Sequence, residues 1–337
     1  MKTQSAATLF VALVALLLVS CSSPDAPTLA PATPTVNPSP TLVAPTTTVS
    51  PAPTVAPRPA QATPARLGQA QKDVTYCTAG GVALKMDIYP PKSLNGKPAP
   101  VVVYVHGGGW RSGDKDSGAG IRDLPELARR GYLVASINYR LAPEHKWPAQ
   151  IQDVKCAIRY LRANAATYNL DPNRIGAIGG SAGGHLVAML GVTDKSAGFD
   201  VGEYLDQSSR VQAVVDLFGP SDLTASGFIQ SQAKLGKEVF GVTSPRDPIL
   251  AQASPVTYIT KDDPPFLILQ GDQDTTVPPA QSQELYDRLQ AAGVPATLVM
   301  VKNAGHSFAP VGGAISPSLA DLAKMTADFF DKHLKSQ

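Results

Sequence analysis

Cysteine, aromatic residues and net charge are all scarce in this 337-residue chain. The three cysteines stand at 21, 77 and 156, with no C-x-x-C spacing, which leaves out the usual thiolate metal sites. The 29 basic and 27 acidic residues nearly cancel and form no charge run, so nucleic acid finds no basic patch to bind. Long apolar runs are missing too, except for Ala6 to Val19. That run is shorter than the roughly 20 residues a helix needs to cross a bilayer. It follows Lys2 and precedes small residues, the layout of a secretory signal peptide over residues 1–20. Leu18-Val19-Ser20-Cys21 resembles a bacterial lipobox, so Cys21 is expected to carry lipid and to anchor the mature chain at a membrane surface outside the cytoplasm. With Cys21 assigned, Cys77 and Cys156 are either a disulfide pair or two separate buried thiols, and the sequence leaves both open.

From Ser22 to about Arg66 the chain is dominated by Pro, Thr, Ala and Val, without an aromatic residue. Recurrent proline blocks helix and ladder hydrogen bonds and favours polyproline II, so residues 21–70 are read as a disordered, semi-rigid stalk. The remainder, 71–337, has the composition and size of one globular α/β domain.

Within that domain, short β-branched runs alternate with amphipathic stretches. Val101–Val105, Leu133–Ile137, Ile175–Ile178, Val211–Val215, Phe266–Leu269 and Ala296–Val301 read as strands buried on both faces. Helical periodicity lies between them at Leu124–Arg130, Ile151–Ala165, Gln281–Ala292 and Leu319–Leu334. The repeated β-α-β rhythm predicts a mainly parallel sheet with helices on both sides. Val74–Cys77 and Ala83–Ile88, joined by Gly80-Gly81, fit an antiparallel hairpin at one edge. The interval 222–264 breaks the rhythm, and such insertions often form caps over a site.

Gly179-Gly180-Ser181-Ala182-Gly183 follows the strand Ile175–Ile178 and precedes an apolar helical stretch, Leu186–Leu190. A strand-to-helix turn of this kind exposes a serine hydroxyl at the sheet edge, the nucleophile elbow of α/β-hydrolases. A serine hydroxyl needs a base, and in such sites the chain order is Ser, then acid, then His. His106 and His145 come too early. His185 lies one turn after Ser181 and is assigned to packing, while His333 falls on the terminal helix and is expected to be solvated. His306, in the loop after the last strand, remains as the base. Gly271 to Pro278 supplies two carboxylates. Asp274 is the candidate because it lies farther out, where it can reach the His306 ring, and Asp272 is assigned to shaping the turn through local backbone N–H groups. His106-Gly107-Gly108-Gly109-Trp110 closes the strand Val101–Val105 and has the placement of an oxyanion loop. Gly108, Gly109 and Ala182 are the expected donors, with His106 organising the loop.

His106 to Lys115 (HGGGWRSGDK), Tyr139 to Glu144 (YRLAPE) and Gly179 to Gly183 resemble the esterase branch of α/β-hydrolases that includes hormone-sensitive-lipase-like and bacterial feruloyl-esterase-like enzymes. The likeness spans about Val74 to His333. Gly271 to Pro278 departs from the Asp-Pro-Leu acid motif of hormone-sensitive-lipase relatives and looks more like the feruloyl-esterase and prolyl-peptidase pattern. The resemblance implies an α/β-hydrolase fold and a serine carboxylesterase acting through an acyl-enzyme, without cofactor or metal, on a small or polymer-linked ester. An arylformamidase, amidase or peptidase would use the same groups. A binding protein on this fold would have lost part of the machinery, and no part is missing here.

Overall fold

The computed structural model describes residues 67–335 apart from 95, 119, 121–123 and 226. All of them fall in one compact unit. The expected signal peptide, Cys21 and nearly all of the expected stalk lie outside the described residues.

Among the described residues one eight-stranded sheet runs in the order β1-β2-β4-β3-β5-β6-β7-β8. Its strands are β1 (Gln71–Ala79), β2 (Val82–Tyr89), β3 (Ala99–Val105), β4 (Leu133–Ile137), β5 (Leu170–Gly180), β6 (Ala213–Leu217), β7 (Phe266–Gly271) and β8 (Ala296–Val301). The hairpin β1-β2 and the β2-β4 pair are antiparallel, and the other pairs are parallel. Helices α1 (Leu124–Arg129), α2 (Ala149–Ala163), α3 (Ala165–Tyr168), α4 (Ala182–Val192), α5 (Phe228–Ser231), α6 (Ala233–Leu235), α7 (Pro248–Gln252), α8 (Pro279–Ala291) and α9 (Leu319–Phe330) connect and cover them. This is the expected α/β-hydrolase architecture.

Alternation along β3 explains why the strand is apolar throughout. Val101, Val103 and Val105 enter one core with α2 and α4, and Val102 and Tyr104 enter a second core with α1 and α9. With both faces covered, no position can be polar without a partner. One expectation needs correction. The final strand is not buried on both faces: β8 is an edge, with Thr297 and Met300 exposed, because nothing pairs beyond it among the described residues. The terminal helical stretch is present as expected, α-helical to Phe330 and wound as a π turn over Asp331–Lys335.

Cys77 on β1 and Cys156 on α2 are joined as a disulfide, which resolves the open alternative. The interval 222–264 contains α5, α6, a π turn over Gly236–Phe240 and α7.

Candidate active site

Ser181 stands between β5 and α4 with φ 56° and ψ −119°, a conformation that costs a non-glycine residue about 1–3 kcal/mol. Its surroundings hold it there. The Ser181 N–H donates to the Leu217 carbonyl at 2.9 Å, and the Ser181 carbonyl accepts the His185 N–H at 3.0 Å. The turn leaves no room for side chains beside it. A Cβ at Gly179 would lie 2.4 Å from the Gly183 carbonyl oxygen, and one at Gly183 would lie 2.1 Å from that of Val105. These glycines are needed for close backbone approach.

His306 and Asp274 come to Ser181 from the loops after β8 and β7. His306 Nε2 is 3.0 Å from Ser181 Oγ, and its Nδ1 is 2.7 Å from Asp274 Oδ2. The other Asp274 oxygen accepts the N–H groups of Thr276 and Val277 at 2.8 and 2.9 Å. Burial pushes the Asp274 carboxyl up, but the His306 contact and the two backbone donors outweigh it and hold the group below the usual carboxylate range. A carboxylate facing Nδ1 accepts a hydrogen bond from an N–H there, which leaves Nε2 to accept one from the serine hydroxyl. Phe218 packs edge-on against the His306 ring at 4.9 Å between centroids, fixing it from the side.

The turn-shaping role falls to a different carboxylate from the one expected. Asp272 Oδ1 accepts the N–H of Ala304 at 3.3 Å, tying its loop to the one that carries His306. Local turn bonding is done by Asp274 itself. The reason is proximity: a Cβ on Gly271 would meet the Ala304 carbonyl oxygen at 2.4 Å, so the two loops touch through their backbones.

The glycine loop packs on the elbow. A Cβ at Gly107 would lie 2.8 Å from the Gly180 carbonyl oxygen and 3.5 Å from Ser181 Cβ. Gly108 and Gly109 adopt φ values of 110° and 60°, and the Gly108 carbonyl accepts the N–H groups of Arg111 and Ser112, closing a tight turn. Gly108, Gly109, Ala182, Ser181 and His306 all line one cavity of about 520 Å³. Phe228, Gln232 and Leu235, from the interval expected to be a cap, line it as well. An Arg111–Glu238 ion pair at 2.6 Å joins the glycine loop to that interval.

Of the remaining histidines, His106 and His185 bond to the glycine loop, and His333 lies apart on the terminal π turn. His106 is buried, with Nδ1 2.7 Å from the Gly107 carbonyl and its ring stacked 4.3 Å from Tyr139, so it does organise the loop. Burial lowers its pKa. His333 is not simply solvated: it is half-buried, 4.7 Å from the Phe329 ring, and burial lowers its pKa. His185 does more than pack. Its ring accepts a hydrogen bond from the Trp110 indole and meets the Ala253 carbonyl. Sequence reasoning also missed Asp216, a fully buried carboxyl on β6 whose pKa burial raises to about 7. The one available signal was a charge inside the apolar run Val214-Val215-Asp216-Leu217. Among the described residues no group of three or more His, Cys, Asp or Glu side chains could hold a metal ion.

The comparisons with known proteins point the same way. The BD-FAE family model matches residues 86–289. Esterase LipC of Mycobacterium tuberculosis is 34% identical over 235 residues, covering 68% of this chain and 58% of that protein. The probable carboxylic ester hydrolase LipM of the same organism is 34% identical, covering 72% of this chain and 57% of its own length. The chain therefore spans less than two thirds of the curated relatives it matches. A truncated carbohydrate esterase from gut microbiota superposes with a TM-score of 0.65 at 32% identity, over 81% of this chain and all of that one. Thermogutta terrifontis esterase 2 phosphorylated by paraoxon superposes with a TM-score of 0.64 at 26% identity, over 79% of this chain and 95% of that one. Fold, strand order and the family match agree, and the chain belongs to the BD-FAE family of α/β-hydrolases.

Proposed function

We propose that this chain is a serine carboxylic-ester hydrolase with Ser181 as nucleophile, His306 as general base and acid, and Asp274 as the carboxylate that orients and charges the imidazole. The observation that carries the reading is the continuous hydrogen-bonded path from Ser181 Oγ through both His306 nitrogens to Asp274. Ser181 Oγ attacks the acyl carbon while His306 Nε2 takes its proton. The N–H groups of Gly108, Gly109 and Ala182 hold the tetrahedral oxyanion, and one such donor typically supplies about 2.7–4 kcal/mol. His306 then returns the proton to the departing alkoxide oxygen, leaving an acyl-enzyme. Water repeats the sequence, giving its proton to His306, and the carboxylic acid leaves as the proton returns to Ser181.

Relatives support this reading by their names as esterases, and the paraoxon-treated neighbour carries a phosphoryl group of the kind that marks an activated serine. Phe228, Gln232 and Leu235 line the cavity, which supports the reading of their interval as a cap over the ester. A fluorophosphonate probe should label the wild type and leave Ser181→Ala unlabelled. Acetyl, longer acyl and feruloyl esters compared with N-formyl amides would identify the acyl group, and turnover of the amides alone would overturn the ester reading. The location outside the cytoplasm rests on Cys21. Cys21→Ser should release the protein from the membrane fraction, and persistence there would overturn lipid anchoring.

A further inference from the structure

Behind the cavity, three segments distant in sequence meet on one imidazole. His185 lies on α4 one turn after Ser181 and is fully buried, as is Ala253, the residue that follows α7. Trp110, the residue after Gly109, is almost fully buried. Trp110 Nε1 donates to His185 Nδ1 at 3.2 Å, and His185 Nε2 is 2.6 Å from the Ala253 carbonyl oxygen. An indole N–H can only donate and a carbonyl can only accept. The ring is therefore neutral with its proton on Nε2, and an imidazolium would set N–H against N–H. Burial holds the ring in that state by pushing its pKa down to about 4, against the pull of the Ala253 carbonyl.

Trp110 needs such a tie. It sits at φ 58°, in the left-handed region, straight after two glycines with positive φ. A loop made of three glycines has little side-chain packing of its own to fix it. The indole supplies that packing, standing edge-on to His185 at 5.0 Å and to Phe240 at 5.4 Å. The backbone N–H of His185 in turn donates to the Ser181 carbonyl, so the same residue is bonded to the elbow and to the glycine loop.

We propose that His185 is a positioning residue which, by holding the Trp110 indole and the Ala253 carbonyl together, sets the Gly108–Gly109 backbone relative to Ser181 and Ala182 and so fixes how strongly the site holds an oxyanion. The inference rests on the serine-hydrolase reading above. Trp110→Phe removes the donor while keeping an aromatic ring in the slot. His185→Leu removes both bonds, and His185→Gln can keep both, with its carbonyl toward Trp110 and its NH2 toward Ala253.

The test compares an aryl acetate with its thionoacetate counterpart, whose sulfur takes hydrogen bonds poorly. Trp110→Phe and His185→Leu should each lower kcat on the oxoester about ten- to hundredfold, the scale of a displaced catalytic geometry, with KM little changed. The thionoester rate should fall much less, His185→Gln should recover most of the oxoester rate, and the double variant should be no worse than His185→Leu. If His185→Leu does not fold, Trp110→Phe and His185→Gln carry the test. Equal losses on both esters would mean a merely structural role and would overturn the proposal, as would an unaltered Trp110→Phe. A wild type that neither takes the fluorophosphonate nor turns over the oxoester overturns both readings. A labelled, active wild type with an unaltered Trp110→Phe overturns this one alone.

Discussion

Replacing Asp274 with Asn changes the proposed charge arrangement while nearly preserving shape. Asp274 Oδ1 takes the N–H groups of Thr276 and Val277, so the Asn carbonyl must stay on that side. Its NH2 then faces His306 Nδ1, where the carboxylate oxygen lies 2.7 Å away in the native chain. Two donors cannot share that gap, so Nδ1 gives up its proton and accepts. The ring proton moves to Nε2, 3.0 Å from Ser181 Oγ, and the base is lost. Gln270 cannot rescue the arrangement. Its Nε2 lies 3.3 Å from Asp274 Oδ2 and is held by donating to the Gly271 and Val277 carbonyls, while its Oε1 accepts from Ser282. A wrong tautomer of this kind lowers kcat about 10⁴-fold, which is about 5.5 kcal/mol of transition-state free energy. KM for a small ester should barely move, since Asp274 does not line the cavity. Asp272→Asn is the control: its oxygen can still accept the Ala304 N–H, and kcat should stay near wild type. Steady-state kinetics on an activated acetate, with circular dichroism to confirm folding, read both variants. The reasoning fails if Asp274→Asn retains a tenth or more of the wild-type kcat, or if Asp272→Asn falls as far.

Two further perturbations test the frame around the site. Asp216 has its carboxyl raised to about 7 by burial, against the Gly219 N–H that favours the anion, and its Oδ2 has no hydrogen-bond partner among the described residues. Because the folded value lies above the unfolded one, this group's contribution is best below about pH 4 and is lost as the pH rises to about 7, by up to about 4 kcal/mol. Asp216→Asn should flatten that slope in urea unfolding at pH 5 and pH 8, and an unchanged slope would refute the assignment. The Cys77–Cys156 disulfide closes a separation of 79 residues, for which chain entropy suggests about 4.5 kcal/mol. The double alanine variant should lose roughly that much in denaturant, whereas a loss under about 1 kcal/mol would show that the unfolded chain is not constrained as argued.

How far the sequence could be read follows from how local each constraint is. Val101–Val105 is legible because a strand covered on both faces must be apolar at every position. Ala296–Val301 has the same look and yet lies at the edge, since a run of six apolar or β-branched residues does not say whether a ninth strand exists. Chain order and loops that follow strands were enough to pick out Ser181, Asp274 and His306, which lie in one hydrogen-bonded path. The correct division of labour between Asp272 and Asp274 was not, because it depends on how the loops after β7 and β8 touch. His185 was hidden for a similar reason: its partners lie 75 and 68 residues away, and neither distance leaves a periodic mark.

The same distinction separates the glycines of the elbow itself. Gly179 and Gly183 are forced by backbone oxygens of Gly183 and Val105 within 2.4 Å of any Cβ, so they belong to the turn wherever such a turn occurs. Gly184 has a different cause. A Cβ there would lie 2.4 Å from Asp216 Oδ1, and one at Gly219 would lie 2.5 Å from the same atom. Both glycines leave space for a buried carboxyl on β6, directly opposite Gly179 in the sheet register. At Gly219 a Cβ would also meet the backbone of Gly184 and His185 at 2.5 Å, whereas a side chain at 184 would first have to displace Asp216, and with it the bond to the Gly219 N–H that fixes the chain just beyond Phe218, the ring that flanks His306. Gly184 thus serves the imidazole side of the site, through Asp216 and Phe218, while Gly179 and Gly183 serve the turn that carries the serine.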